Sequence, residues 1–145
     1  MPRSLFADPL FRKGLKIRSE VQGKEKVARR MREANEYTLG FEELTTKAAW
    51  GIIWARPGLS RKLRSFLNLG ILTALHQPEE LRLHIGTALH HGVTRKEIAE
   101  ALLHCTVYCG IPRAADARRI MCSVFEELDA RKPKAAPRKR SLRKK

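Results

Sequence analysis

Helix-start and helix-stop residues punctuate this chain at short intervals, and no alternating apolar–polar run long enough for a strand lies between them. Asp8-Pro9 reads as a cap and first-turn pair, with Leu10, Ile17 and Val21 at helical spacing until Gly23. A polar helical stretch, "KEKVARRMREAN", leads through Gly40 into "FEELTTKAAWGIIWARPG". There Phe41, Leu44, Ala48 and Ile52 form one stripe, which predicts a helix burying those four residues before Arg56-Pro57-Gly58 breaks it.

Ser60 caps a third long helix, "FLNLGILTAL", which is apolar nearly all round and is expected to be the most buried. Gly70 and Ala74, four residues apart, would let another helix approach closely, within the subunit or across an oligomer contact. Pro78 with Glu79 and Glu80 opens the next helix, whose stripe of Leu81, Ile85 and Ala88 includes His84. Thr94 and Glu97 have the spacing of a capping box ahead of Ile98, Ala101, Leu102, Cys105 and Cys109. Gly110 ends that helix and Pro112 opens the last, with Ala117, Ile120, Met121, Val124 and Leu128 inward. The expected fold is all-α, a bundle of about six helices.

The formal charge is +15, but its distribution argues against a nucleic-acid-binding domain. Residues 131–145 hold nine basic groups and no acid, so residues 1–130 carry 21 basic against 15 acidic groups, a net +6. We therefore divide the chain into a helical domain, 1–130, and a basic tail, 131–145. The tail has too little apolar content to offset the entropy of ordering and is expected to be disordered. It serves either as a solubilising appendage or as an arm making weak, nonspecific, salt-sensitive contact with nucleic acid or acidic partners. With no long apolar run, no membrane span is expected. The lack of an export signal and three cysteines, an odd number, fit a cytoplasmic location with reduced thiols.

Three segments, "AAWGIIWARPGLSRKLRSFLNLGILTAL", "PEELRLHIGTALHHGVTRKEI" and "ALLHCTVYCGIPRAADA", together resemble the carboxymuconolactone decarboxylase family in order and spacing. The resemblance spans about residues 9–128 and implies an alkylhydroperoxidase D-like, all-helical subunit assembled as a homo-oligomer, commonly a trimer or hexamer. One branch of that superfamily reduces peroxide through C-x-x-C-x-x-x-H. With its histidine placed on His84, the cysteine positions fall on Gln77 and Glu80, neither of which forms a thiolate. The resemblance is therefore to the decarboxylase branch, which removes carbon dioxide from a carboxylated lactone in the protocatechuate/β-ketoadipate route of aromatic catabolism. The lactone is its own electron sink, so no metal or organic cofactor is expected. His76, His84, His90 and His91 do not have a zinc spacing either.

Such chemistry needs cations for the substrate carboxylates, a donor for the developing oxyanion and an acid for carbon. Arg61 and Arg64, at the start of the Ser60 helix, are the expected carboxylate ligands, and Trp54 an apolar wall. His84 is the expected acid or oxyanion donor, with Glu80 one turn earlier to fix its tautomer or raise its pKa. His90 and His91 end a helix, where positive charge suits the dipole. Where the family pattern often has Glu inside "WG-E-IW", this chain has Ile52, which removes a possible proton-handling carboxylate. Two other readings compete: a peroxidase using Cys105 and Cys109, spaced four apart on an apolar helix face, and a nonenzymatic protein binding through its tail.

Overall fold

The computed structural model describes residues 3–131, so of the basic tail only Arg131 is described. Its elements are α1 (Arg3–Ala7), α2 (Pro9–Gln22), α3 (Lys24–Glu33), α4 (Leu39–Thr45), a π-helical segment (Thr46–Ile53), α5 (Arg61–Ala74), α6 (Pro78–His90), α7 (Arg95–Cys109) and α8 (Ile111–Ala130). No strand occurs among the described residues. None of the described helices is long and apolar enough to cross a membrane.

Most helix boundaries follow from local chemistry. The Asp8 carboxylate accepts from Leu10 N at 2.8 Å and Phe11 N at 3.3 Å, and the Ser60 hydroxyl accepts from Leu63 N at 3.2 Å. At α7 the capping box is complete, with Glu97 N donating to Thr94 Oγ1 at 3.1 Å and Thr94 N to Glu97 Oε2 at 2.6 Å. The Lys62 ammonium, 2.8 Å from the Glu97 carboxylate, and the cap bonds push its pKa down to about 2, tying α5 to the start of α7.

Helices α5–α8 enclose the larger apolar core, with Leu69, Leu81, Ile85, Val93, Ile98, Leu102, Ala117 and Met121 buried together. The stripes expected on α6, α7 and α8 all contribute to it. A second cluster, Leu5, Phe11, Val27 and Met31, joins α1, α2 and α3. Helix α2 also crosses the π-helical segment at very close range. A Cβ on Gly14 would stand 2.0 Å from the Thr46 carbonyl oxygen, and one on Gly51 would stand 2.9 Å from Leu10 atoms. Glycine at both positions lets α2 and the π-helical segment meet backbone to backbone.

Two expectations are corrected here. Phe41, Leu44 and Ile52 do not face the core, being 74%, 67% and 50% exposed; Thr46, Trp50 and Gly51 are buried instead. The wide i→i+5 turn, seen in Trp54 N donating to Ala49 O at 2.8 Å, breaks the 3.6-residue register on which that stripe depends. Nor is α5 the most buried helix. It turns Ser65, Leu69 and Thr73 inward and leaves Leu63, Leu67, Ile71 and Leu75 exposed. A Cβ on Gly70 would meet nothing within 4 Å, so no described helix uses the close approach that Gly70 permits.

Gly14→Ala is expected to lower folding stability by ~3 kcal/mol, because the obstructing atom is backbone and cannot rotate away. Chemical denaturation of the purified variant checks this; Gly70→Ala, in open space, is the control.

Candidate active site

The seam between the two clusters opens into a cavity of about 450 Å³. Each wall comes from a different part of the chain. Helix α2 supplies Arg18 and Gln22, α3 supplies Arg30, and α4 supplies Phe41, Glu42 and Thr45. The π-helical segment and the residue after it bring Ala49, Trp50 and Trp54, while Asn68 comes from α5 and Glu80 and His84 from α6. The cavity thus gathers His84, Glu80 and Trp54, three of the residues singled out by the sequence.

Arg61 and Arg64 are not among its lining residues. The Arg61 guanidinium pairs with Glu20, and Arg64 Nη2 donates to the Arg56 carbonyl at 3.0 Å. In their stead Arg18, 2% exposed, lies at the cavity edge. Its Nη1 donates to Glu42 Oε2 at 2.6 Å and Thr46 Oγ1 at 2.9 Å, and its Nε to Gln22 Oε1 at 3.4 Å. Arg30 Nε lies 3.5 Å from the other Glu42 oxygen. Glu42 therefore sits between two guanidinium groups. Arg18 carries a sequence signal that went unused: it falls on the inward stripe of Phe11, Gly14 and Val21, where an apolar residue is expected.

His84 is largely buried, and its nearest polar partner is Asn68, with Nδ2 3.4 Å from the imidazole Nδ1. An amide nitrogen can only donate, so Nδ1 accepts and the neutral ring carries its proton on Nε2. Burial holds the His84 pKa below its ordinary value of 6.5; Glu80 opposes that shift and Lys26 adds to it. Asn68 is the lone amide within "FLNLGIL", which is the trace it leaves in the sequence. The Trp50 and Trp54 rings, 4.9 Å apart, form an aromatic wall. Ile52 is half exposed and does not line the cavity, whose carboxylates are Glu42 and Glu80.

One histidine departs from expectation, and the cysteines behave as burial on an apolar helix face implies. His91 turns inward, its Nδ1 2.9 Å from Ser65 Oγ and its ring 6.1 Å from Trp54. Burial, then His90 and Arg61, lower its pKa, so its neutral form is favoured over a cation serving the helix dipole. Cys105 and Cys109 are free thiols on α7 and line an apolar groove on the α5–α7 face, apart from this cavity. Burial and the neighbouring Cys109 push the Cys105 thiol up, the reverse of what a thiolate nucleophile needs.

A helical subunit with this seam cavity and this sequence order defines a known class. The sequence model of the carboxymuconolactone decarboxylase family matches residues 40–121, and the chain belongs to that family. It is 36% identical over 118 residues to the 4-carboxymuconolactone decarboxylase of Acinetobacter baylyi, a match covering 81% of this chain and 88% of that protein. It is 46% identical over 108 residues to the nitrosuccinic acid decarboxylase npaB of Metarhizium robertsii, covering 74% of this chain and 76% of the relative.

In an NMR titration the His84 ring is expected to protonate with a midpoint below 6.5, and Glu80→Gln to move that midpoint lower still, since the Glu80 charge favours the imidazolium. A midpoint at or above 6.5 contradicts the burial described here.

Proposed function

We propose that this chain is a carboxy-lyase that decarboxylates a small carboxylated substrate without a cofactor, and that His84 is its catalytic residue. The observation that carries the reading is a largely buried, neutral imidazole, oriented by Asn68, in a cavity also lined by two guanidinium groups and two tryptophans. The names of the two relatives support it, and their substrates share a chemical logic. In a carboxymuconolactone the electrons of the breaking C–C bond flow into an unsaturated carbonyl; in nitrosuccinic acid they flow into a nitro group. In either case carbon dioxide leaves, negative charge collects on oxygen, and carbon then takes a proton, so one proton is consumed per carbon dioxide released.

His84 Nε2–H is the donor for that developing oxyanion. A neutral donor held in a water-poor site stabilises charge that exists only in the transition state, which is where binding energy accelerates the reaction. Trp54 gives the cavity an apolar wall against which a leaving carboxylate becomes uncharged. Glu80 tunes the imidazole from one turn away. Arg61 and Arg64 do not line this cavity and are given no part in this scheme.

We read the functional unit as a homo-oligomer. Leu63, Leu67, Ile71 and Leu75 on α5 and Leu103, Val107 and Tyr108 on α7 are exposed together, more apolar surface than single scattered side chains leave.

Purified protein is expected to release carbon dioxide from 4-carboxymuconolactone or from nitrosuccinate, and His84→Gln to lower kcat about a hundredfold with an unchanged circular dichroism spectrum. No turnover of either acid by folded protein defeats the decarboxylase reading; full activity of the variant defeats the role of His84. For the assembly, light scattering should show a multimer that Leu67→Glu dissociates.

A further inference from the structure

We propose that α2 and α3 supply a carboxylate-binding subsite, formed by Arg18, Arg30 and the Gln22 amide, which makes the enzyme select dicarboxylic over monocarboxylic substrates. The inference rests on the decarboxylase reading above and assigns residues to the part of the substrate that does not react. Three observations carry it.

The first is the buried fork of Arg18. Its bonds to Glu42, Thr46 and Gln22 use Nη1 and Nε, and Nη2 takes none of them, although the side chain is 2% exposed and lines the cavity. Nη2 is not one of the buried polar atoms left without a partner, so it is the part of this cation that keeps access to the cavity, and a carboxylate oxygen is an acceptor that suits its charge. The second is Arg30, 44% exposed and held only by a 3.5 Å approach to Glu42, which leaves its guanidinium free to turn toward a ligand. Gln22 accepts through Oε1, so its amide N–H groups are the donors it has to offer.

The third observation is which elements bring charge to the cavity. Arg18 and Arg30, from α2 and α3, converge on the single carboxylate of Glu42, while the other lining carboxylate, Glu80, stands on α6 one turn from His84. Ala49, Trp50, Trp54 and Asn68 add no cation to the lining. A substrate with two carboxylates is thereby oriented: the one that stays is fixed by the guanidinium groups, and the one that leaves lies where no cation stabilises its charged ground state. Arg18, Gln22 and Arg30 all precede the family match at residues 40–121, whereas His84, Asn68, Trp50 and Trp54 lie within it. The reacting end belongs to the family core, and the selecting end to the helices placed before it.

The test compares nitrosuccinate with 2-nitrobutanoate, which lacks the distal carboxylate, using the full chain. The parent is expected to favour the dicarboxylate in kcat/KM by about tenfold or more; Arg30→Gln should raise KM for nitrosuccinate about tenfold with kcat changed much less, and Arg30→Lys should recover part of the loss. Equal use of both acids by the parent, or an unchanged KM in Arg30→Gln, overturns the proposal. Binding gives a readout free of turnover, because the two tryptophans of the chain, Trp50 and Trp54, both line the cavity. Succinate, but not butanoate, is expected to change their fluorescence saturably, and Arg30→Gln to weaken that response. Succinate binding without decarboxylation of either acid retains the subsite and removes the decarboxylase reading; decarboxylation with no preference and no succinate response does the reverse.

Discussion

The backbone crossing of α2 over the π-helical segment is the constraint on which the cavity depends. With hydrogen at Gly14 and Gly51 in place of side chains, Thr46 comes within reach of Arg18 one turn further along α2. The guanidinium is then buried beside Glu42, a pairing that is costly to desolvate and worth keeping chiefly for the arrangement it fixes. Widen the crossing by one methyl group and the threonine hydroxyl, the carboxylate and the arginine all lose their common geometry. The electrostatics of the site therefore begin with the smallest residues in the chain.

The π-helical turn has a related effect. By taking the backbone out of ordinary helical register, it turns Trp50 toward the core and sets Trp54 beside it, so that two aromatic rings reach one wall. Ile52 and Ile53, in the same segment, are left half exposed, so that it presents an aromatic wall to the cavity and an apolar face outward.

Where a single element's own chemistry settles the outcome, the sequence was readable. Asp8, Ser60 and the Thr94–Glu97 box cap helices as their spacing requires, and the inward stripe of α8 needs only its 3.6-residue period. His84, Glu80 and Trp54 were legible because the family resemblance picks them out, and the cavity brings them together. What stayed hidden depends on two elements at once. Periodicity counts apolar residues, so Arg18 on an apolar stripe went unnoticed, and only the approach of Thr46 and Glu42 explains its burial. Arg61 and Arg64 sit at a helix start, a plausible anion site in isolation, and only the packing of α5 against its neighbours shows that they do not line this cavity. In α5 every face is apolar enough to be core, and the sequence does not say which face has a neighbour.

The polar contacts of the cavity lining fall into two separate sets: Arg18, Gln22, Arg30 and Glu42 bond among themselves and with Thr46, while Asn68 meets His84. Neither set holds the other in place. A substitution among the guanidinium groups therefore leaves the imidazole its amide partner, and the two halves of the chamber are free to diverge separately.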